Sequence, residues 1–345
     1  MLDPNELVST RGIVHWHQGN TVLKSIGRDL LVSHNDGREY TIIGKLPSEG
    51  VEKYIPKTRL LLRLVRGNPK HVLPIRSGSW MIFDRRDIWS LDEARKKPRS
   101  LSKIHGSRPL RLLATDSRVA YGEYRSNPTR EPIGIWESID DGVHWELAHK
   151  FHGIRHVHGV FWDPIDEAVW VTTGDDDSEC AIWKFDESWG HGQKVLSGNQ
   201  SSRAIDLLFR QDAIYFGSDA PEEVNGIYRM NRIDHVAERV QEVAGPVFHA
   251  GQFGCSTVFT TACEPSRVNT YPKTQLWLSY EGVNWHCLLE FRKDRFSMKY
   301  FQYGQIILAA GSGSEEGFWI TPYATEYDQC SFFIPFELVS KSLTR

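Results

Sequence analysis

One element of this sequence recurs seven times: a short apolar stretch, often carrying Trp or Tyr, then a polar turn, then a second apolar stretch. Examples are DLLVSHNDGREYTIIGKL, IGIWESIDDGVHWELAHKF and QLWLSYEGVNWHCLLEF. With Leu31, Ile82, Ile135, Ile182, Ile227, Leu276 and Phe318 as anchors, the steps are 51, 53, 47, 45, 49 and 42 residues. Each step is close to one seventh of the 345-residue chain. A period of this size means units that bury their apolar faces against one another. Two further strand-like stretches precede the recurring pair, such as VHGVFWDP and AVWVTTGD in the fourth unit. In the first unit all four lie close together as GIVHWH, TVLKSI, DLLVS and YTIIGKL. Stretches rich in β-branched and aromatic residues, bounded by Gly, Asp and Asn, read as antiparallel strands.

Four strands per unit, repeated around the chain, predict an all-β protein: a β-propeller of four-stranded antiparallel blades forming a single domain over residues 1–345. Seven blades are expected, or six if the compact first unit completes the last blade. The content of 12 Trp, 28 Gly and only 4 Met suits short strands and tight turns. The one helix-like patch is LDEARKK at 91–97.

Charge and cysteine usage narrow the function classes. The 41 basic and 44 acidic residues leave a net charge of -3, so no global positive field exists to collect nucleic acid. No apolar run approaches about 18 residues, so no membrane span is expected. The start MLDPNELVSTRG has no apolar core segment, which predicts no secretory leader and a cytoplasmic location. Cys180, Cys255, Cys263, Cys287 and Cys330 form no CxxC pair, which predicts reduced thiols and no metal site. No cofactor is expected.

The stretch Ser138-Ile139-Asp140-Asp141-Gly142-Val143-His144-Trp145 has the spacing S-x-D-x-G-x-x-W. A weaker copy runs from Ser33 to Tyr40, and Leu278 to Trp285 keeps only Gly282 and Trp285. In these features the chain resembles the sialidase-like superfamily of BNR/Asp-box propellers. Physically the box is a turn device: a polar side chain accepts backbone N–H groups, Gly takes a positive φ, and Trp packs between blades. Asp140 and Asp141 are therefore expected to shape a turn and not to catalyse. Sialidases carry an F/Y-R-I-P motif, which Leu73-Pro74-Ile75-Arg76 does not match. The resemblance implies the fold and transfers no catalytic residue.

A meander reverses at every turn, so links between blades and second-to-third-strand loops share one face. Ligand sites favour such a mouth, where several loops converge. Links entering first strands carry Arg108, Arg155, His156, His158, Arg203 and His249. Second strands end in Glu123, Asp175, Asp219 and Glu264, and the long 262–275 loop adds Arg267 and Tyr271. Arginine forks suit carboxylates, aromatic faces suit sugar rings, and a carboxyl of raised pKa can protonate a glycosidic oxygen.

These features point to a carbohydrate-active enzyme working on an acidic oligo- or polysaccharide at the channel mouth. As a glycoside hydrolase it would use Asp175 and Glu264. As a polysaccharide lyase it would rely more on His156, His158, Tyr271 and Arg203. In either case Arg155, Arg203, Arg108, His249, Arg267 and Tyr271 are the candidate substrate-binding residues. The alternative is a non-catalytic propeller that binds a glycan or a partner protein.

Overall fold

The computed structural model describes residues 1–48, 53–54 and 58–343. After β1 (Ser9–Arg11), the first meander comprises β2 (Ile13–Gln18), β3 (Thr21–Ile26), β4 (Asp29–Ser33) and β5 (Thr41–Lys45). Helix α1 (Arg59–Leu64) leads into β6 (His71–Pro74), β7 (Trp80–Asp84), β8 (Asp87–Leu91) and β9 (Arg99–Lys103). The third meander is β10 (Leu112–Ala114), β11 (Val119–Gly122), β12 (Ile133–Ser138) and β13 (Glu146–Phe151). The fourth is β14 (His156–Asp163), β15 (Ala168–Gly174), β16 (Ala181–Phe185) and β17 (Gly192–Ser197). The fifth is β18 (Ala204–Phe209), β19 (Ile214–Ser218), β20 (Asn225–Met230) and β21 (Ala237–Val243).

Then come β22 (Val247–Phe253), β23 (Ser256–Cys263), β24 (Lys273–Ser279) and β25 (His286–Arg292). Last are α2 (Met298–Phe301), β26 (Gly304–Leu308), β27 (Ala310–Gly313), β28 (Gly317–Tyr323), β29 (Cys330–Pro335) and α3 (Phe336–Leu343).

The result is an all-β, propeller-like ring of small antiparallel sheets, with first strands lying side by side around the centre. The expected seven, or six, separate blades are not what strand pairing shows. Five sheets of four or five strands stand alone, and the remaining strands form one eight-stranded sheet. The cause is the length of β23, whose last residues pair with β26 through Ala262–Gln305 and Cys263–Gly304. The outer strand of that sheet is β1, paired with β29, so the two ends of the described chain are stitched together. A parallel pairing of β2 with β27 adds a second tie.

Each strand's place in its sheet explains its composition. Second strands β7, β11, β15, β19 and β23 are buried along their whole length and read as nearly continuous apolar runs. Fourth strands such as β9 and β17 form polar outer edges. A register shift recurs between third and fourth strands, at Leu30/Leu31, Ile135/Trp136, Ile182/Trp183, Ile227/Tyr228 and Leu276/Trp277. A bulge at this place adds the twist that a blade needs. In the second unit the equivalent shift is at Ile88/Trp89, so Ile82 lies one strand earlier than the sequence anchors assume. Phe318 likewise sits on β28, the strand before the equivalent one. Residues 92–97 form a turn and loop, with Asp92 accepting from the Arg95 N–H at 2.8 Å, and not a helix.

The Asp140 hairpin has the expected turn geometry. Ser138 Oγ donates to Asp140 Oδ1 at 2.9 Å and accepts from the Gly142 N–H at 2.9 Å. Asp140 Oδ1 accepts from the His144 N–H at 2.9 Å, and Gly142 sits at φ 84°. Trp145 packs edge-on against Tyr121 with ring centroids 4.9 Å apart. Asp141 accepts from the Ser77 N–H of the neighbouring sheet at 3.0 Å. Asp140→Ala is expected to cost about 1 kcal/mol of stability, the usual net worth of such a bond. Urea unfolding should report that loss, while ligand affinity should be unchanged.

Candidate functional site

The links into first strands and the ends of second strands do converge, and Asp175 lies at their centre. It follows Gly174, the last residue of β15, and faces the start of β14. Its Oδ2 lies 3.0 Å from Arg155 Nη1. Its Oδ1 lies 3.2 Å from His156 Nε2, 3.5 Å from His158 Nε2 and 3.2 Å from Arg203 Nη2. The register of β14 on β15 slips between Val157 and Gly159, so the intervening His158 sits in a bulge aimed at this carboxylate. Gly174 makes room for it: a Cβ there would lie 2.8 Å from His158 Cε1. The loop is held by its own backbone, since Gln200 Nε2 donates to the Asp175 carbonyl at 3.0 Å.

Arg203 links this centre to a second carboxyl. Its Nε lies 3.3 Å from Asp219 Oδ2, at the end of β19. Glu264, at the end of β23, shares a hydrogen bond with Tyr303 and feels the charges of Arg203 and Asp175. Tyr124, from the end of β11, rests its ring 4.2 Å from that of His156. Four buried polar atoms here have no hydrogen-bond partner among the described residues: His156 Nδ1, Arg155 Nε, Arg203 Nε and Asp219 Oδ1. Unsatisfied buried polar atoms are costly, so each of these four calls for a partner such as water or a ligand.

The carboxyls divide into two kinds. Burial alone would raise Asp175, but hydrogen bonds from the two imidazoles and the charge of Arg203 outweigh it. They hold the group well below the usual carboxylate range. Asp175 is therefore ionised and engaged by four neighbours. Burial pushes Asp219 up from 3.8 to about 7, with Glu264 and Asp175 adding to the effect and Arg203 only partly offsetting it. Burial raises Glu264 as well, against the opposing pull of Tyr303 and Arg203.

The Asp219 shift predicts a pH dependence of stability. Between about pH 4 and 7 the folded chain keeps a proton on Asp219 that the unfolded chain has released. Stability therefore falls as pH rises through that window, by at most about 1.4 kcal/mol per pH unit from this group. Asp219→Asn should flatten the decline, read by urea unfolding at pH 5 and pH 8.

Not every candidate joins the cluster. Arg267 is 93% exposed and reaches only Glu222, at 3.8 Å. Tyr271 donates to Glu290 on the outer strand β25 at 2.8 Å, so neither residue lines the mouth. Arg108 donates to the Arg66 carbonyl, and His249 pairs with Gln305 at 3.0 Å. Both belong to a basic lining deeper in the ring, where Lys70 is lowered to about 7 by burial and by Arg111, Arg108 and Arg66. Asp206 pairs there with Arg111 at 2.6 Å. Asp163, seven residues after His156, is at the far end of β14 and bonds Arg232. The missed member is Tyr303, which follows α2 outside any repeat pattern; Asp219, placed at the mouth by its strand-end position, gains its weight from burial.

His156, His158 and Asp175 present donor atoms that all lie within 4.8 Å of one another. The five cysteines are free thiols. No helix among the described residues is long and apolar enough to cross a membrane.

No protein-family model matches the chain, and no curated protein matches its sequence. Solved structures do share its fold. An oligogalacturonate lyase from Vibrio parahaemolyticus superposes with a TM-score of 0.58 at 10% identity, over 96% of this chain and 92% of its own. An oligogalacturonate lyase in complex with manganese gives a TM-score of 0.58 at 10% identity, over 97% and 92%. A chain of the mitotic checkpoint complex gives a TM-score of 0.56 at 12% identity, over 97% and 92%. At such identities the likeness is one of fold, and the fold is a propeller. None of these three neighbours is described as a sialidase.

Proposed function

We propose that the chain binds an acidic oligosaccharide at the mouth where Arg155, Asp175, Arg203, Asp219 and Glu264 meet, and cleaves it by β-elimination. The observation that carries this reading is the charge balance. Two guanidinium groups converge on one ionised carboxylate, while the two carboxyls beside them are pushed towards their neutral forms. Below about pH 7, with Asp219 protonated, both guanidinium forks face the mouth and can donate to a sugar carboxylate. Tyr124 and Tyr303 offer ring faces at its rim. Two of the propellers of like fold are oligogalacturonate lyases, which act on substrates of this class.

In such an elimination a base takes the proton from the carbon beside the carboxylate. The C–O bond to the neighbouring sugar breaks as a carbon–carbon double bond forms, and the departing oxygen gains a proton. Arg155 and Arg203 would stabilise the charge that builds on the carboxylate. Glu264, in its ionised form, would accept the carbon-bound proton, with Tyr303 fixing its position. Asp219, protonated up to about pH 7, would supply the proton to oxygen. Asp175 and its two imidazoles would hold both arginines in register.

A hydrolytic reading has one specific support, because Asp219 and Glu264 are two carboxyls of raised pKa in one cleft. Product analysis separates the two. Elimination of oligogalacturonate gives an unsaturated, near-ultraviolet-absorbing product, and the product masses sum to that of the substrate. Hydrolysis adds one water and no absorbance. Saturable binding with no product would identify a glycan-binding propeller, and no affinity for acidic over neutral oligosaccharide would reject the reading.

A further inference from the structure

The two imidazoles at the start of β14 carry an inference that does not depend on the sugar. His158 Nδ1 lies 3.1 Å from the carbonyl oxygen of Ala204. A carbonyl can only accept, so Nδ1 carries a proton and is anchored there, which leaves Nε2 facing Asp175 Oδ1, 3.5 Å away. His156 Nε2 faces the same oxygen from 3.2 Å.

We propose that His156 Nε2, His158 Nε2 and Asp175 Oδ1 form a binding site for one first-row divalent cation. Donors about 2.1 Å from a shared ion and about 100–115° apart are themselves about 3.2–3.5 Å apart. The edges from Asp175 Oδ1 to His156 Nε2 and His158 Nε2, 3.2 and 3.5 Å, have these lengths. The surroundings are those of a metal centre. The far nitrogen of His158 is anchored on a backbone carbonyl, and the carboxylate is itself hydrogen-bonded, here by Arg155 and Arg203. Both histidines are buried, and Gly174 leaves the space that His158 fills. Two imidazole nitrogens and one carboxylate favour manganese, iron, cobalt or zinc over calcium or magnesium. Three protein donors also leave coordination positions open to water or a ligand. The likeness to a propeller holding manganese, at 10% identity, transfers no ligand to this chain. The case rests on these three side chains.

The test uses the full chain after treatment with a chelator. Mn²⁺ is followed by loss of the free-ion paramagnetic resonance signal, and Zn²⁺ by calorimetry. One ion per chain is expected to bind. His156→Ala and His158→Ala should each weaken binding by more than the roughly 10–100-fold that outer partners contribute. His34→Ala, at an exposed histidine, should change nothing. Because removal of a buried imidazole can disturb folding, the wild-type protein supplies an independent reading. Its bound Mn²⁺ should show nuclear couplings from two imidazole nitrogens. A folded wild-type chain that takes up neither ion stoichiometrically overturns the proposal. So does an ion that binds without nitrogen coupling, or binding that survives both histidine replacements.

Discussion

Arg203→Ala is expected to lower kcat/KM on an acidic oligosaccharide by roughly 30- to 5,000-fold, the equivalent of about 2–5 kcal/mol lost with one partner of a buried charge pair. Arg203 bridges two carboxyls of the mouth. Arg203 lies 3.2 Å from Asp175 and 3.3 Å from Asp219. Its charge also lowers Glu264. Without it, three carboxyls face one another with only Arg155 in compensation, and an incoming anion meets repulsion where it should meet a fork. The loss should be far smaller for a neutral oligosaccharide of the same length, so selectivity falls with rate. Arg203→Lys restores charge without the planar two-pronged donor and should recover only part of the activity. Steady-state kinetics on the three proteins checks this, with circular dichroism to verify folding. A change of less than about threefold in Arg203→Ala would mean that the mouth is not where the anion binds.

Asp163→Ala should have the largest effect on stability, about 3 kcal/mol, because it leaves a buried guanidinium with only the partly exposed Asp166, at 3.3 Å, as its carboxylate partner. Asp163 has no exposed side-chain surface and receives Arg232 through two bonds, at 2.7 and 3.3 Å. Arg232 follows β20, so the pair clamps the fourth meander to the fifth. Arg232 also donates to the Arg210 carbonyl at 2.7 Å, which fixes the guanidinium in place and prevents it from turning to solvent. Replacing both partners with apolar residues of similar size should recover much of the loss, since the desolvation cost of both charges then disappears. Urea unfolding of the single and double variants measures this. Metal and sugar affinity of the folded fraction should be unaffected, because Asp163 lies at the opposite end of β14 from His156.

Much of the fold was legible because burial writes itself into composition. The stretches GIVHWH, TVLKSI, DLLVS and YTIIGKL correspond to β2, β3, β4 and β5, and wholly buried second strands stand out as runs such as AVWVTTG. What was not legible is long-range pairing. No local pattern indicates that Ser9–Arg11 pairs with Cys330–Pro335, or that β23 is long enough to reach β26. The second and third strands of a blade also look alike in sequence, which is why Ile82 and Phe318 are placed one strand too early.

The site divides in the same way. Alternating chain direction is enough to bring Arg155, His156, His158, Asp175, Arg203 and Glu264 to one mouth. It fails for Arg267 and Tyr271, because the loop after Glu264 carries them outward to Glu222 and Glu290. The roles of the carboxyls depend on distances that spacing cannot supply. Asp175 is held ionised by four neighbours, while Asp219 is pushed up by burial that one arginine does not cancel.

A crystal structure of the chain soaked with a trimeric uronide tests the central claim most directly. The account predicts a sugar carboxylate within hydrogen-bond distance of both Arg155 and Arg203, with Asp219 and Glu264 against the adjoining glycosidic bond. An ordered uronide on the opposite face, among the hairpins of Ser138 and Ser279, would contradict it. So would a mouth that stays free of sugar at saturating concentration.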